Sequence, residues 1–498
     1  MILFPLLAFL AILVVVSFFA DRHMKGASFT SRYFIGDRTL NGVVLAMTLV
    51  ATYGSVSSFV SGPGVAWNLG LGWVVFAAPQ IIAGFLILGV AGKKLALVAR
   101  ATNALTVIDV VRARYGNSRT TSLLAILLAL LMLLFFTTMM VGQFIGGAQI
   151  FSQAAKIDYK EALLLFGCVT VLYTGFGGFR AVALTDMVCA ILMLVGMFLL
   201  GEEILREGGG LAAVMEKVGS IAPKGPGTEG QLLTPTSGGA LGIPLLLSAW
   251  VLVGFGTLGL PQSAVRCMSY KTSDDLHRAM FISTLVCGAL MIGMTTLGVF
   301  MRAVMDVPLS TLGSTDAMMP IFIAMHLSPT VAGLTLVGPL AATMSTVSSL
   351  LLAASSAIIK DLLLTWRPEW EKESPRALKG ITKTVTTFIG VIALVLALYP
   401  VDIIAWINMF AFGGLELAFL LPLVGGLFWA RATAAGALIS VVGSIALYLT
   451  ISTFKLSFFG FHAIVPAMLL AIVLYVVGSW LTKPTTPWPT AFFPARKS

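Results

Sequence analysis

The sequence predicts an all-α integral membrane protein with about 13 transmembrane helices. Three observations lead there. Of the 498 residues 58% are hydrophobic and only 10% charged, the apolar residues fall in runs long enough to cross a bilayer, and the basic residues concentrate in alternate loops. A soluble domain carries about 25% charged residues, so water cannot be the main solvent of this chain. In hydrocarbon every backbone N–H and C=O must be paired internally, which leaves only helices or a closed barrel. Barrel strands alternate apolar and polar residues over segments of about ten. Runs such as 3–20 and 187–200 do not alternate, and roughly 20 apolar residues span a bilayer as helix.

The spans are expected at 3–20, 41–66, 70–91, 121–150, 161–177, 184–204, 240–260, 279–301, 331–357, 381–398, 403–428, 433–453 and 462–481. An odd count puts the termini on opposite sides. With the loop after the first span in the cytoplasm, 24 of the 31 Lys and Arg residues fall on the cytoplasmic side and 7 on the other. The positive-inside rule then sets the N-terminus outside and the C-terminus inside. The same rule accounts for the net charge of +10, and a nucleic-acid partner is not expected. The lipid bilayer is the partner that composition implies, and a monomer is expected.

The chain reads as one transmembrane domain, 1–498. A flanking helix at 3–20 precedes two five-helix units, about 41–204 and about 240–428. Further helices follow at about 433–481, then a Pro-rich tail, 484–498, expected to be disordered. Segment 302–330, with Pro308, Pro320 and Pro329, reads as an external loop holding a short interfacial helix, and 96–115 as a cytoplasmic surface helix. No soluble domain is expected. Cys168, Cys189, Cys267 and Cys287 form no metal-ligand or disulfide pattern. No phosphate-binding Gly-rich loop and no catalytic constellation is visible, so an enzyme is not expected.

Two spans carry weak points. The second reads Thr48-Leu-Val-Ala51-Thr52-Tyr53-Gly54-Ser55-Val-Ser57-Ser58 and then Ser61-Gly62-Pro63-Gly64. Gly lowers helical preference, and Ser and Thr offer the backbone competing hydrogen bonds. The seventh has Gly254-Phe-Gly256-Thr257-Leu-Gly259-Leu-Pro261. Small residues at helix crossings explain either one alone. Interrupted helices at matching places in two halves point instead to a transporter binding site. In the ninth span, Ala342, Ser345 and Thr346 stand at i, i+3 and i+4 and share a face. Two hydroxyls and a carbonyl there, with carbonyls freed by a break in another helix, suit a dehydrated alkali cation.

Several stretches resemble the sodium/solute symporter family over nearly the whole chain. They are Tyr33-Phe-Ile-Gly-Asp-Arg38, Leu45-Ala-Met-Thr48, Ala51-Thr-Tyr53, Gly62-Pro-Gly64, Leu172-Tyr-Thr-Gly-Phe-Gly-Gly-Phe-Arg180, Leu260-Pro-Gln-Ser-Ala-Val-Arg-Cys267, Met344-Ser-Thr346, Ile359-Lys-Asp361 and Ala411-Phe-Gly-Gly-Leu-Glu416. The last of these, with Val265-Arg-Cys-x-Ser-Tyr270, resembles the branch that carries pantothenate. The resemblance implies a LeuT-like fold of two inverted five-helix repeats with flanking helices, and sodium-coupled import of pantothenate across the bacterial inner membrane. It implies a sodium ion held by the carbonyls of Ala51, Gly54 and Ala342 and the hydroxyls of Ser345 and Thr346, with Asp186 in coupling. Tyr53 stands where some relatives carry an acidic or amide side chain.

For the substrate, Ser55, Ser57 and Ser58 at a half-helix N-terminus offer hydroxyls and a positive dipole to a carboxylate. Gln80, Trp250 and Glu416 are further candidates. Glu416 is an ionisable group inside a span, and such groups are functional suspects by default. Gln143, Trp73, Trp406 and Asn408 are weaker ones. Arg266 reads as an ordinary anchor, and Asp186 as a possible ion-pair partner of Arg180. Alternatives are a sodium symporter for proline, a monocarboxylate or a sugar, and a membrane sensor built on a transporter-like bundle.

Overall fold

The computed structural model describes residues 2–22, 29–223 and 228–484. Most of the expected disordered tail, from 485 on, lies outside the described residues. Among the described residues the chain is helical, with isolated bridges at Leu40–Tyr270 and Phe458–Phe461 and no strand.

The main helices are α1 (Leu3–Arg22), α2 (Gly42–Tyr53), α3 (Ser57–Leu69), α4 (Leu71–Ala101), α5 (Arg119–Ala155), α6 (Tyr159–Gly208), α7 (Ile243–Gly259) and α8 (Pro261–Cys267). They continue with α9 (Ser273–Val304), α10 (Pro329–Trp366), α11 (Pro375–Leu396), α12 (Ile404–Phe428), α13 (Ala434–Thr453) and α14 (Ile464–Leu481). Among the described residues nine helices are long and apolar enough to cross a membrane, or eleven if the bent pairs α2–α3 and α7–α8 each count as one span. The expected thirteen needs two more. One is α1, whose apolar part is only Leu3–Val16. The other is the first half of α6, which is broken at Gly178 by a left-handed φ of 65°.

Close approach decides which helices pair. Gly196 of α6 faces Gly338 of α10, where an added Cβ would lie 3.2 Å from the opposing Cα. Gly478 of α14 meets Gly436 of α13 in the same way, at 2.9 Å. On α5, a Cβ at Gly146 would strike Val56 and one at Gly147 would strike Phe166. Lipid tails are as apolar as Leu, so small residues that let backbones meet are what hold such helices together.

Connectors outside the spans are more ordered than expected. The stretch read as a surface helix continues α4 to Ala101 and then forms a second helix, Val107–Tyr115. Thr106 caps it with a capping box to Asp109, and its hydroxyl also donates to Asp361 at 2.5 Å. Arg114 is buried and donates to the carbonyls of Gly426, Trp429, Ala430 and Ala432 at the end of α12. In segment 302–330, Met318–His326 is helical and Asp316 is buried. Its carboxylate accepts from the Ser61 hydroxyl and from the Ile404 N–H at 2.9 Å, and Ser61 in turn accepts from the Ala405 N–H at 3.0 Å. Burial pushes the Asp316 carboxyl up, and these donors oppose the shift. This loop therefore clasps the start of α12 to α3.

Thr106→Val is expected to lower stability by roughly 2–4 kcal/mol, since it removes a cap and leaves buried Asp361 without a donor. Thermal unfolding of the purified protein in detergent measures it.

Candidate cation and substrate site

The broken span begins conventionally. Asn41 caps α2, its side-chain oxygen accepting from the Val44 N–H at 3.0 Å. The helix stops at Gly54, which is extended at φ −71°, ψ 103°. The chain resumes as one π-helical stretch, Ser57–Ser61, and then an α-helix, bent 67° from α2. The second expected weak point behaves alike. Gly254 leaves helical geometry at φ −105°, ψ −101°, and Leu260 is extended before Pro261, the conformation a following proline favours. Helices α7 and α8 meet at 48°.

A break inside the hydrocarbon leaves polar backbone that must find partners. The Val56 N–H donates to Gln143 Oε1 at 3.0 Å. Ser345 Oγ donates to the Ala51 carbonyl at 2.8 Å and stands 3.1 Å from that of Ala342. Thr346 Oγ1 lies 2.9 Å from the Ala342 carbonyl, 3.4 Å from that of Gly54 and 3.5 Å from that of Thr52. The five residues expected to hold a cation thus converge, all buried, between the end of α2 and one face of α10. Their donor set is three carbonyls and two hydroxyls with no carboxylate, which fits a monovalent hard cation.

Beside this cluster lies a cavity with about 600 Å³ of atom-free space, part of it open to solvent. Ser55, Ser57, Ser58 and Gln80 line it, as expected residues, together with Trp73 and Asn408. Ser55 and Ser57 share a hydrogen bond at 2.7 Å. Asn408 accepts from Gln143 Nε2 at 3.4 Å, while its own amide nitrogen has no partner among the described residues. Tyr53, Phe76, Met291, Thr295, Met409 and Phe412 complete much of the wall and were not foreseen. An aromatic facing a cavity looks in sequence like one facing the core. Tyr53 donates to the Val253 carbonyl at 3.2 Å and so ties α2 to the broken α7. Among the described residues no charged side chain lines the cavity.

Two substrate expectations need correction. Trp250 does not reach the cavity; it is 45% exposed on the outer face of α7, beside Phe255. From α7 only Val253 lines the wall, because the π-helical turn Trp250–Gly254 rotates residue 250 outward. Glu416 is fully buried but also outside the cavity. Asn408, Met409 and Phe412 present one face of α12 to the cavity, and Glu416 lies a turn further on, covered by Gly256 of α7.

Asp186 is buried, and its partner is Arg266 rather than Arg180, which is exposed. Arg266 Nη2 lies 3.2 Å from Asp186 Oδ2 and 2.7 Å from Ser349 Oγ. Its Nε donates to Thr48, whose hydroxyl donates to the same carboxylate oxygen at 2.6 Å. Arg266 is therefore a buried link between α2, α6, α8 and α10, not an interfacial anchor. It borders a second cavity whose wall includes Phe34, Leu105 and Gln262. The hydroxyls of Ser349 and Thr52, 3.0 Å apart, join this network to the cation cluster.

A family model for sodium:solute symporters matches residues 33–443. The chain belongs to the sodium:solute symporter family. It is 42% identical to the sodium/pantothenate symporter of Escherichia coli (strain K12) over 479 residues, 96% of each chain. It is 39% identical to that of Haemophilus influenzae over 481 residues, again 96% of each. Among solved structures it is similar to a Na+-coupled sialic acid symporter in a substrate-bound outward-open state. The TM-score is 0.77 at 19% identity, covering 96% of this chain and 98% of that one. That likeness shows the fold; the family and the apolar helices make the chain a multi-pass membrane transporter, not an enzyme.

Removing Arg266 alone strands the Asp186 carboxylate in a low dielectric. Arg266→Met is expected to destabilise by roughly 3–5 kcal/mol, and Arg266→Met with Asp186→Leu to recover most of that. Melting curves of the two single variants and the double variant decide it.

Proposed function

We propose that this protein imports pantothenate together with sodium across the bacterial inner membrane. The observation that carries the reading is the meeting of the α2 break with the hydroxyl face of α10, in a family member 42% identical to a sodium/pantothenate symporter. We take thirteen spans in two five-helix repeats, about 41–204 and about 240–428, with the N-terminus outside, the C-terminus in the cytoplasm and a monomer as the working unit.

Sodium is carried cargo. The carbonyls of Ala51, Gly54 and Ala342 and the hydroxyls of Ser345 and Thr346 hold it. Both hydroxyls now donate to carbonyls; turning them lets their lone pairs face the ion, which replaces two weak cross-links with one strong one. That stiffens the α2 break and shapes the cavity wall at Ser55, Ser57 and Ser58. A carboxylate there meets hydroxyl donors and the positive end of α3, and no like charge. The Asn408 amide and Gln80 suit the hydroxyl and amide groups of pantothenate.

In this reading the cavity beside Asn408 opens outward, and the one beside Arg266 opens to the cytoplasm once the Thr52–Ser349 contact parts. Asp186 couples the two, because Thr48 and Arg266 tie it to the helices that move. One sodium crossing a potential of about 100 mV supplies about 2.3 kcal/mol before any concentration gradient.

The test is uptake of labelled pantothenate by liposomes holding the purified protein, with and without an inward sodium gradient. Ser345→Ala with Thr346→Ala is expected to raise the sodium needed by roughly 10–100-fold. Unchanged sodium dependence would remove the ion site. Sodium-driven uptake of proline, a monocarboxylate or a sugar in place of pantothenate would remove the substrate.

A further inference from the structure

Glu416 is the carboxylate that the transport reading leaves unused. It sits within α12, fully buried, and neither of its oxygens has a hydrogen-bond partner among the described residues. No Lys or Arg among the described residues is placed to pair with it. An isolated carboxylate costs several kcal/mol to bury even after relaxation. A neutral carboxylic acid costs far less, provided its O–H finds an acceptor.

The neighbouring helix offers one. A methyl group added at Gly256 would strike both Glu416 Oε2 and the Val251 carbonyl oxygen. Both oxygens lie on one face of Gly256; the Val251 carbonyl accepts from the Phe255 N–H and keeps a second lone pair for another donor, while Glu416 Oε2 has no partner among the described residues. This is the stretch where α7 loses regular geometry, from the π-helical turn Trp250–Gly254 to the non-helical Gly254.

The titratable groups facing Glu416 are two phenols, Tyr53 from α2 and Tyr448 from α13. Both hydroxyls are engaged elsewhere, Tyr53 with the Val253 carbonyl and Tyr448 with that of Phe410 at 3.1 Å. Tyr448 also lines an open groove with Lys455 and His462, its ring 6.4 Å from the His462 ring.

We propose that Glu416 is a proton-binding site: in this conformation it is a neutral acid whose O–H is given to the Val251 carbonyl, fastening α12 to the broken α7. The proton exchanges with water in the Tyr448 groove when α7 shifts. The site is independent of which solute the protein carries.

Infrared difference spectroscopy of the purified protein at pH 7 tests it without a substrate. Wild-type protein is expected to show the carbonyl-stretching band of a buried protonated carboxyl, and Glu416→Gln to lose that band while melting within a few degrees of wild type. Glu416→Gln keeps the shape and the neutrality, so a folding failure in that variant would itself argue that the native group is charged. Because Asp186, Asp316 and Asp361 are also buried, the assignment is overturned if the wild-type spectrum minus that of Glu416→Gln shows no protonated carboxyl band. It is overturned as well by a sodium-induced rise in wild-type melting temperature that Glu416→Gln abolishes while Ser345→Ala with Thr346→Ala retains it; that result would make Glu416 a second cation site.

Discussion

The architecture turns on one debt of the backbone: a helix that stops inside hydrocarbon must have its freed carbonyls and N–H groups answered by other helices. Each unanswered group costs several kcal/mol. At Gly54 the answers come from Gln143 on α5 and from Ser345 and Thr346 on α10. At Gly254 they come from Thr257 and from Tyr53 across the interface. The break in α2 therefore exists only because α5 and α10 press against it, and α5 can do so because Gly146 leaves room for Val56. The oxygens that complete the fold at rest are the same ones a cation would use.

Polar links inside the bundle divide into two kinds. The Asp186–Arg266 network is buried and joins four helices beside the second cavity. The Asp316 clasp lies in a connector and joins α3 to the start of α12. Each binds a broken helix to an unbroken neighbour. Because buried ion pairs and buried carboxylates contribute little net stability, their value lies in defining which helices move together.

Hydropathy made most spans legible, and Gly, Ser and Pro clusters marked both breaks to within a residue or two. The i, i+3, i+4 spacing of Ala342, Ser345 and Thr346 placed them on one face, which the fold turns toward α2. What stayed hidden depends on rotation and on distant partners. Arg266 pairs with a residue 80 positions away, and nothing in its local sequence distinguishes it from an interfacial arginine. Trp250 faces outward because a π-turn shifts the helical phase. Glu416 was visible as an anomaly, but its screening by Gly256 is a tertiary fact. The span count suffers from short or kinked helices such as α1 and the first half of α6, where length alone does not decide.

The grip of Arg114 on four carbonyls fixes the far end of α12 to the Val107–Tyr115 helix. That makes α12 a lever with its fulcrum near Trp429. The π-helical stretch Leu420–Gly425, just inside the fulcrum, interrupts regular hydrogen bonding where such a rod would flex. The arm beyond it, Ile404–Phe419, has 16 residues; at about 1.5 Å of rise each, a swing of about 10° there carries the opposite tip by roughly 4 Å. The tip bears Ala405 and Asn408, so a small local flexure becomes a displacement the size of a side chain at the mouth of the cavity.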